Sequence, residues 1–199
     1  MADGGSPGST RDIEIHPFND PKAKEILDGV ADRYLSQSAL EIEFGLSIRL
    51  AEKPEKKEKG RIVQSNNRFK VETAEQDIYC DGRSLWYHLK EDKEVQINDY
   101  DGDDSGELGL MSPKGLLRQY ESGEFEYALV AETVENNTQI AQIEFKPTDD
   151  FSDYSKLRVT IDKGQKSIIR VRAFGKDGSS FAMIVDSEKF GVSYPEEYF

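Results

Sequence analysis

From Leu40 to Leu50 every second residue is apolar: Leu40, Ile42, Phe44, Leu46, Ile48 and Leu50. Successive side chains of an extended strand point to opposite faces, so a period of two sets all six on one face. The same period returns in one short segment after another down the chain, with turn residues between. A chain written this way is committed to one wide antiparallel sheet with a single apolar side, and something apolar has to fill that side.

The 199 residues fit one domain, because no Pro/Gly/Ser-rich break divides the middle of the sequence. Residues 1–19 are polar and contain Gly and Pro, which predicts a disordered leader, and residues 20–199 are read as the domain. Met1 to Thr10 has neither a basic start nor an apolar stretch, so it reads as an appended or processed leader and not as a signal peptide. The sequence stops at Tyr198-Phe199, where a further strand is expected to begin, as in a shortened chain.

Hydrophobic residues make up 36% of the chain and mean hydropathy is -0.69, low for a sheet buried on both faces. The core is therefore expected on one side, with the other solvated. The net charge of -13, from 39 acidic and 26 basic residues, lacks the basic patch that displaces counterions from nucleic acid. It equally disfavours adhesion to anionic lipid surfaces. The single cysteine, Cys80, excludes an internal disulfide or a cysteine zinc site and reads as a small buried thiol. No run reaches the ~20 apolar residues of a membrane-spanning helix.

Asn19-Asp20-Pro21 supplies a capping side chain and then a proline where its missing N–H does no harm. Ala23, Ile26, Leu27, Val30, Ala31, Tyr34 and Leu35 follow at helical spacing, predicting an amphipathic helix that ends near Gln37 or Ser38. Strands are predicted over 39–52, 60–65, 68–73, 76–81, 83–90 and 94–98, with the charged stretch 53–59 as a hairpin loop. An acidic loop follows. A second helix starts at Ser112-Pro113, carries Leu116, Leu117 and Tyr120 on its apolar face, and stops at Gly123. Five more strands are predicted over 124–132, 138–146, 155–163, 165–174 and 179–190. The reading is mainly β: helix, six strands, short helix, five strands.

No nucleophile elbow, HExxH motif or glycine-rich phosphate loop is present. The two histidines, His16 and His88, lie far apart, and His16 belongs to the leader. Asp99 to Asp104 imitates the opening of a calcium loop, but the required sixth-position glycine is Asp104 and the twelfth-position glutamate is Leu110. The sequence points to no enzyme, cofactor or metal.

Gly60-Arg61-Ile62-Val63 through Asn67-Arg68-Phe69-Lys70-Val71 precedes Asp81-Gly82-Arg83-Ser84-Leu85-Trp86, and then Met111-Ser112-Pro113-Lys114-Gly115-Leu116-Leu117. In order and spacing, over about residues 20 to 195, this resembles the outer-membrane lipoprotein carriers, the LolA-like periplasmic chaperones. The family's Arg-Pro step after the first glycine is replaced by Gln64-Ser65-Asn66-Asn67, and His88 stands where a tyrosine is common. The resemblance implies an open, half-closed antiparallel β-barrel of about eleven strands with a helical lid. It also implies a periplasmic, non-enzymatic monomer that takes acylated lipoproteins from an inner-membrane ABC transporter to an outer-membrane acceptor.

On that reading the acyl chains are lined by Leu40, Ile42, Phe44, Leu46, Ile48, Phe69, Val71, Leu85, Tyr87, Leu89, Val95 and Ile97. The lid is Ile26, Leu27, Val30, Leu116, Leu117 and Tyr120. Each withdrawn methylene is worth ~0.8 kcal/mol, so a carrier needs an apolar cavity to compete with a membrane. A second class of function, a protein- or lipid-sensing module on the same half-barrel, rests on the sheet edges that an open barrel exposes.

Overall fold

The computed structural model describes residues 18–100 and 112–199. The leader through Pro17, His16 included, and the calcium-like run from Asp101 through Leu110 lie outside the described residues.

The helix start signal is used as written. The Asp20 carboxylate accepts from the Lys22 N–H at 2.9 Å, Pro21 occupies the first turn, and α1 runs over Pro21–Leu35. Its stripe Ala23, Leu27, Val30, Ala31 and Tyr34 is buried. The second helix, α2 (Pro113–Ser122), opens with Ser112 accepting from the Gly115 N–H and closes at Gly123, whose φ of 81° is the left-handed cap glycine favours.

The strands are β1 (Ala39–Arg49), β2 (Lys56–Ser65), β3 (Arg68–Thr73), β4 (Gln76–Cys80), β5 (Ser84–Leu89), β6 (Glu94–Asp99), β7 (Phe125–Glu135), β8 (Thr138–Pro147), β9 (Tyr154–Asp162), β10 (Ser167–Gly175) and β11 (Ser180–Phe190). They form one antiparallel sheet in the order β6-β5-β4-β3-β2-β1-β11-β10-β9-β8-β7, with β6 and β7 as its edges among the described residues. The pattern predicts the one-sided antiparallel sheet, and the half-closed barrel with helices on its apolar side is the one the resemblance implies. The hairpin turns carry the expected residues: Asn136 and Asn137 both have positive φ, at 49° and 64°, as a tight primed turn requires.

One boundary departs from expectation. Lys56 to Lys59, read as loop, belong to β2, where Ile48 faces Lys56 and Gly45 faces Lys59. Pairing with the long β1 satisfies these backbone groups, and the charged side chains stay at least partly in water.

The inner row of β1 continues across its neighbours through the register. Ile42 lies opposite Ile62, which lies opposite Val71, which lies opposite Ile78. On the other arm Leu46 faces Met183, Met183 faces Val171, and Val171 faces Val159. Against this row the helices bury their apolar stripes, so α1, α2 and both arms share one core.

Polar ties fix the helices there. The Tyr34 hydroxyl donates to Glu188 on the inner face and accepts from the Ile168 N–H at 3.0 Å. Arg33 pairs with Glu188 at 3.2 Å. Burial raises the Glu188 pKa above the usual carboxylate range, against the pull of Arg33. Tyr120 of α2 donates to Asp28 of α1 at 2.8 Å. The buried Lys114 ammonium reaches the Gln37 carbonyl in the link between α1 and β1.

Gly60 shows how closely this interior is fitted. A Cβ there would stand 2.3 Å from Cζ of Phe44, whose ring lies across the β2 backbone. Gly60→Ala is expected to lower stability by about 1–3 kcal/mol through forced movement of that ring, read as a lower urea midpoint at unchanged slope. An unchanged midpoint would show that Phe44 has room to move.

On the opposite, convex face the chain returns after β11 and lies over the sheet. Tyr194 and Tyr198 pack together with ring centroids 4.5 Å apart, and Tyr198 lies on Lys70. Both hydroxyls bond Arg61 at 2.7 Å. A short helical turn, Glu196–Tyr198, stands where a further strand was expected. Beneath Tyr194, Glu41 is buried and binds Arg61 at 3.0 Å and Lys189 at 2.9 Å.

Candidate functional site: a hollow at one end of the half-barrel

Along β1 the inner face changes character. Leu40, Ile42 and Phe44 are sealed, Leu46 is nearly so, and Ile48 is half-buried. The helices fill the sheet only at the end where α1 leads into β1. At the other end a cavity of about 710 Å3 remains, within the roughly 300–1,000 Å3 of ordinary ligand pockets. Its apolar wall comes from Leu46, Ile48 and Leu50 of β1 and the residue after it, Leu89 of β5, Tyr154 of β9 and Phe181 of β11.

The expected lining therefore divides. Leu46, Ile48 and Leu89 face the hollow. Leu40, Ile42, Phe44, Phe69, Val71 and Leu85 are buried in the core beneath the helices, with Tyr87 packed half-buried against it. Val95 and Ile97 are a correction. They pair with His88 and Trp86, not with Tyr87 and Leu85, so they stand on the convex face, 54% and 64% exposed. The reason is register: β6 meets β5 with Gln96 and Asn98 turned inward.

The expected lid residues do meet on the inner side. Leu27, Val30, Leu116, Leu117 and Tyr120 are buried, while Ile26 is only partly covered. Burial and the Asp28 carboxylate push the Tyr120 hydroxyl well above its ordinary pKa, so it stays a donor.

The rim of the hollow was not anticipated. Glu58, Glu75, Glu91, Asp92, Asp153 and Asp177 surround it, and Lys176 is the one cation that lines it among the described residues. Glu58 accepts from the Ala74 N–H at 3.2 Å, and Asp177 from the Ser179 N–H at 2.8 Å. Hydrogen bonds from Ser179 hold the Asp177 carboxyl below its usual pKa. Glu75 pairs with Lys56, and the Lys176 ammonium donates to the Asp150 carbonyl at 2.6 Å. A signal for this rim exists in the sequence. In an up-and-down meander every second turn lies at the same end, and those turns carry acidic residues.

Chemistry is sparse elsewhere. Cys80 is fully buried, its sulfur taken up by the Asn67 carbonyl and the Gly82 N–H. His88 Nδ1 lies 3.7 Å from Asp77 on the convex side. Among the described residues no group of three or more His, Cys, Asp or Glu is placed to hold a metal ion. No helix among them is long and apolar enough to cross a membrane.

With this geometry in hand, the chain was compared with known proteins. No protein-family model matches the sequence, and no curated protein sequence does. Solved structures do. An outer membrane lipoprotein-sorting protein domain from Vibrio parahaemolyticus aligns over 87% of this chain and 94% of its own, with a TM-score of 0.51 at 13% identity. The fold is LolA-like. The lipoprotein LppX of Mycobacterium tuberculosis aligns over 88% of this chain and 98% of its own, with a TM-score of 0.50 at 11% identity. An uncharacterized conserved protein from Thermus thermophilus reaches 0.57 at 14% identity, over 89% of this chain and 91% of its own. At these identities the likeness is one of fold, and the LolA-like half-barrel here owes its functional reading to its own hollow.

Proposed function

We propose that this protein is a non-enzymatic carrier that takes acyl chains of lipoproteins into the hollow at the open end of the half-barrel. One observation carries the reading: an interior otherwise packed like a core stops short, leaving an apolar-walled cavity of about 710 Å3 open to solvent. Apolar side chains left facing water forgo the stabilisation of burial, a cost that covering them with an apolar guest offsets. The Vibrio parahaemolyticus domain of similar fold, described as lipoprotein-sorting, supports the assignment of the guest.

In the full proposal the carrier works in the periplasm as a monomer, receives cargo from an inner-membrane ABC transporter and passes it to an outer-membrane acceptor. The lid for release is α1 with α2, held by Tyr34 to Glu188 and by Lys114 to Gln37. Leu46, Ile48 and Leu89 touch the guest, and the deeper candidates Leu40, Ile42, Phe44, Phe69, Val71 and Leu85 are uncovered only if the helices shift.

The test is displacement of an uncharged, environment-sensitive apolar dye by a diacylated peptide with neutral residues beside the lipid. The expected result is saturable displacement, with faster transfer of a fluorescent diacylated peptide between two vesicle populations. Absence of displacement by the acylated peptide removes the carrier reading.

The convex side supports a second reading, protein sensing. All six residues of edge strand β6 are exposed, and beside it Tyr79, Trp86, His88, Val95 and Phe199 line a shallow hollow of about 440 Å3. A polypeptide added to β6 would satisfy that edge.

A further inference from the structure

The walls and the rim of the hollow disagree in a way that names its guest. The wall is apolar, whereas the lining carries six carboxylates against one lysine among the described residues. For the whole chain the ratio is only 39 acidic to 26 basic residues, so the rim is far steeper than composition requires. The carboxylates come from separate places that the topology gathers at one end: Glu58 in β2, Glu75 between β3 and β4, Glu91 and Asp92 between β5 and β6, Asp153 before β9, and Asp177 between β10 and β11. Three nearby lysines are committed, Lys56 to Glu75, Lys176 to the Asp150 carbonyl, and Lys90 to Asp77 and the Thr73 carbonyl, while Lys93 adjoins Glu91 and Asp92 in the same turn.

A guest with its tails between Leu46, Ile48 and Phe181 has to leave its polar end at this rim. Low-dielectric walls focus the field of the surrounding charges there. An anionic head is repelled, and a cationic one is drawn in. Resting on the carrier reading, we propose that the hollow selects acyl-bearing guests whose polar end is cationic, an ammonium or guanidinium a few bonds from the acyl chains, and rejects anionic amphiphiles. That chemistry is met by a lipid-modified polypeptide with lysine or arginine beside the lipidated residue, or by a double-chain lipid with an amine head.

The test uses the same dye with three diacylated peptides that differ only beside the lipidated residue, carrying Lys-Lys, Ser-Ser or Glu-Glu, and with an amine-headed double-chain lipid. At low salt the Lys-Lys peptide is expected to bind about tenfold more tightly than the Glu-Glu peptide. The ratio is expected to fall toward one at 1 M salt, where the Debye length is about 3 Å. The triple variant Glu91→Gln, Asp92→Asn, Asp153→Asn, at exposed positions, is expected to lose most of the ratio. Binding of the amine-headed lipid equal to that of the Lys-Lys peptide supports the inference and assigns selection to the ammonium. Weaker binding of that lipid, with the peptide ratio intact, supports it and assigns selection to a lipidated polypeptide. Equal affinity for Lys-Lys and Glu-Glu at low salt, with Ser-Ser still displacing the dye, overturns charge selection and leaves the carrier standing. No displacement by any of the three peptides overturns both.

Discussion

Ile48→Trp is expected to weaken binding of a neutral diacylated peptide by more than about tenfold, or 1.4 kcal/mol, with little change in thermal midpoint. Ile48 sits on the inner row of β1, opposite Lys56 and Phe181, and its side chain borders the hollow. A larger ring there grows into empty space, so no neighbour has to move. Further along the same face the same change meets a closed core: Phe44→Trp is expected to cost about 1–3 kcal/mol by overpacking. The pair separates a binding cavity from a core defect, measured by dye displacement and by thermal melting of both variants. Unchanged affinity in Ile48→Trp would place the guest elsewhere.

The second large effect is expected at Glu41. Arg61, Tyr194 and Lys189 bond its carboxylate and lower its pKa from 4.5 to about 2. A carboxylate whose pKa is depressed on folding stabilises the fold fully above its unfolded value, and that stability is lost as pH falls. The loss from this group therefore lies between pH 4.5 and about 2. Glu41→Ala removes three charge-assisted bonds and leaves Arg61 facing Tyr194 and Tyr198 alone beside Glu72. About 3 kcal/mol is expected at neutral pH, the figure for breaking a largely buried pair. Hydrogen exchange is expected to rise in the segment Tyr194 to Phe199, which the cluster holds to the sheet. Glu41→Gln is expected to flatten the acid limb of stability in that window. An unaltered acid limb would mean that Glu41 does not anchor the segment.

The order of elements was legible because period and punctuation agree almost throughout. Leu40 to Ile48 and Ala141 to Phe145 alternate in register with the sheet, and Pro21, Pro113 and Gly123 mark helix ends that the structure respects. What composition hid was pairing. Lys56 to Lys59 look like loop because nothing apolar marks them, yet β1 needs a partner along its length. In β5 both faces carry large residues, Leu85 and Tyr87 on one and Trp86 and His88 on the other, so β6 could be matched to either, and Val95 and Ile97 fell on the wrong one. The hollow was hidden for another reason. Period tells which side is apolar, but how far along that side the helices reach depends on where α1 and α2 dock.

The sheet order carries a consequence for how the molecule is made. The arms β2 to β6 and β10 to β7 are each built of neighbours in sequence, and they join only where the first strand meets the last, with Leu40 opposite Phe190. Each arm is assembled from local hairpins, whereas that seam closes the longest loop in the molecule and carries the largest entropic cost of any pairing. Until the last strand arrives, the edge of β1 that pairs with β11 stays unmated beside an uncovered greasy surface. A newly made chain thus passes through a stage in which it is itself a sticky body in need of shelter, and slow closure of this seam is when clumping is most to be expected.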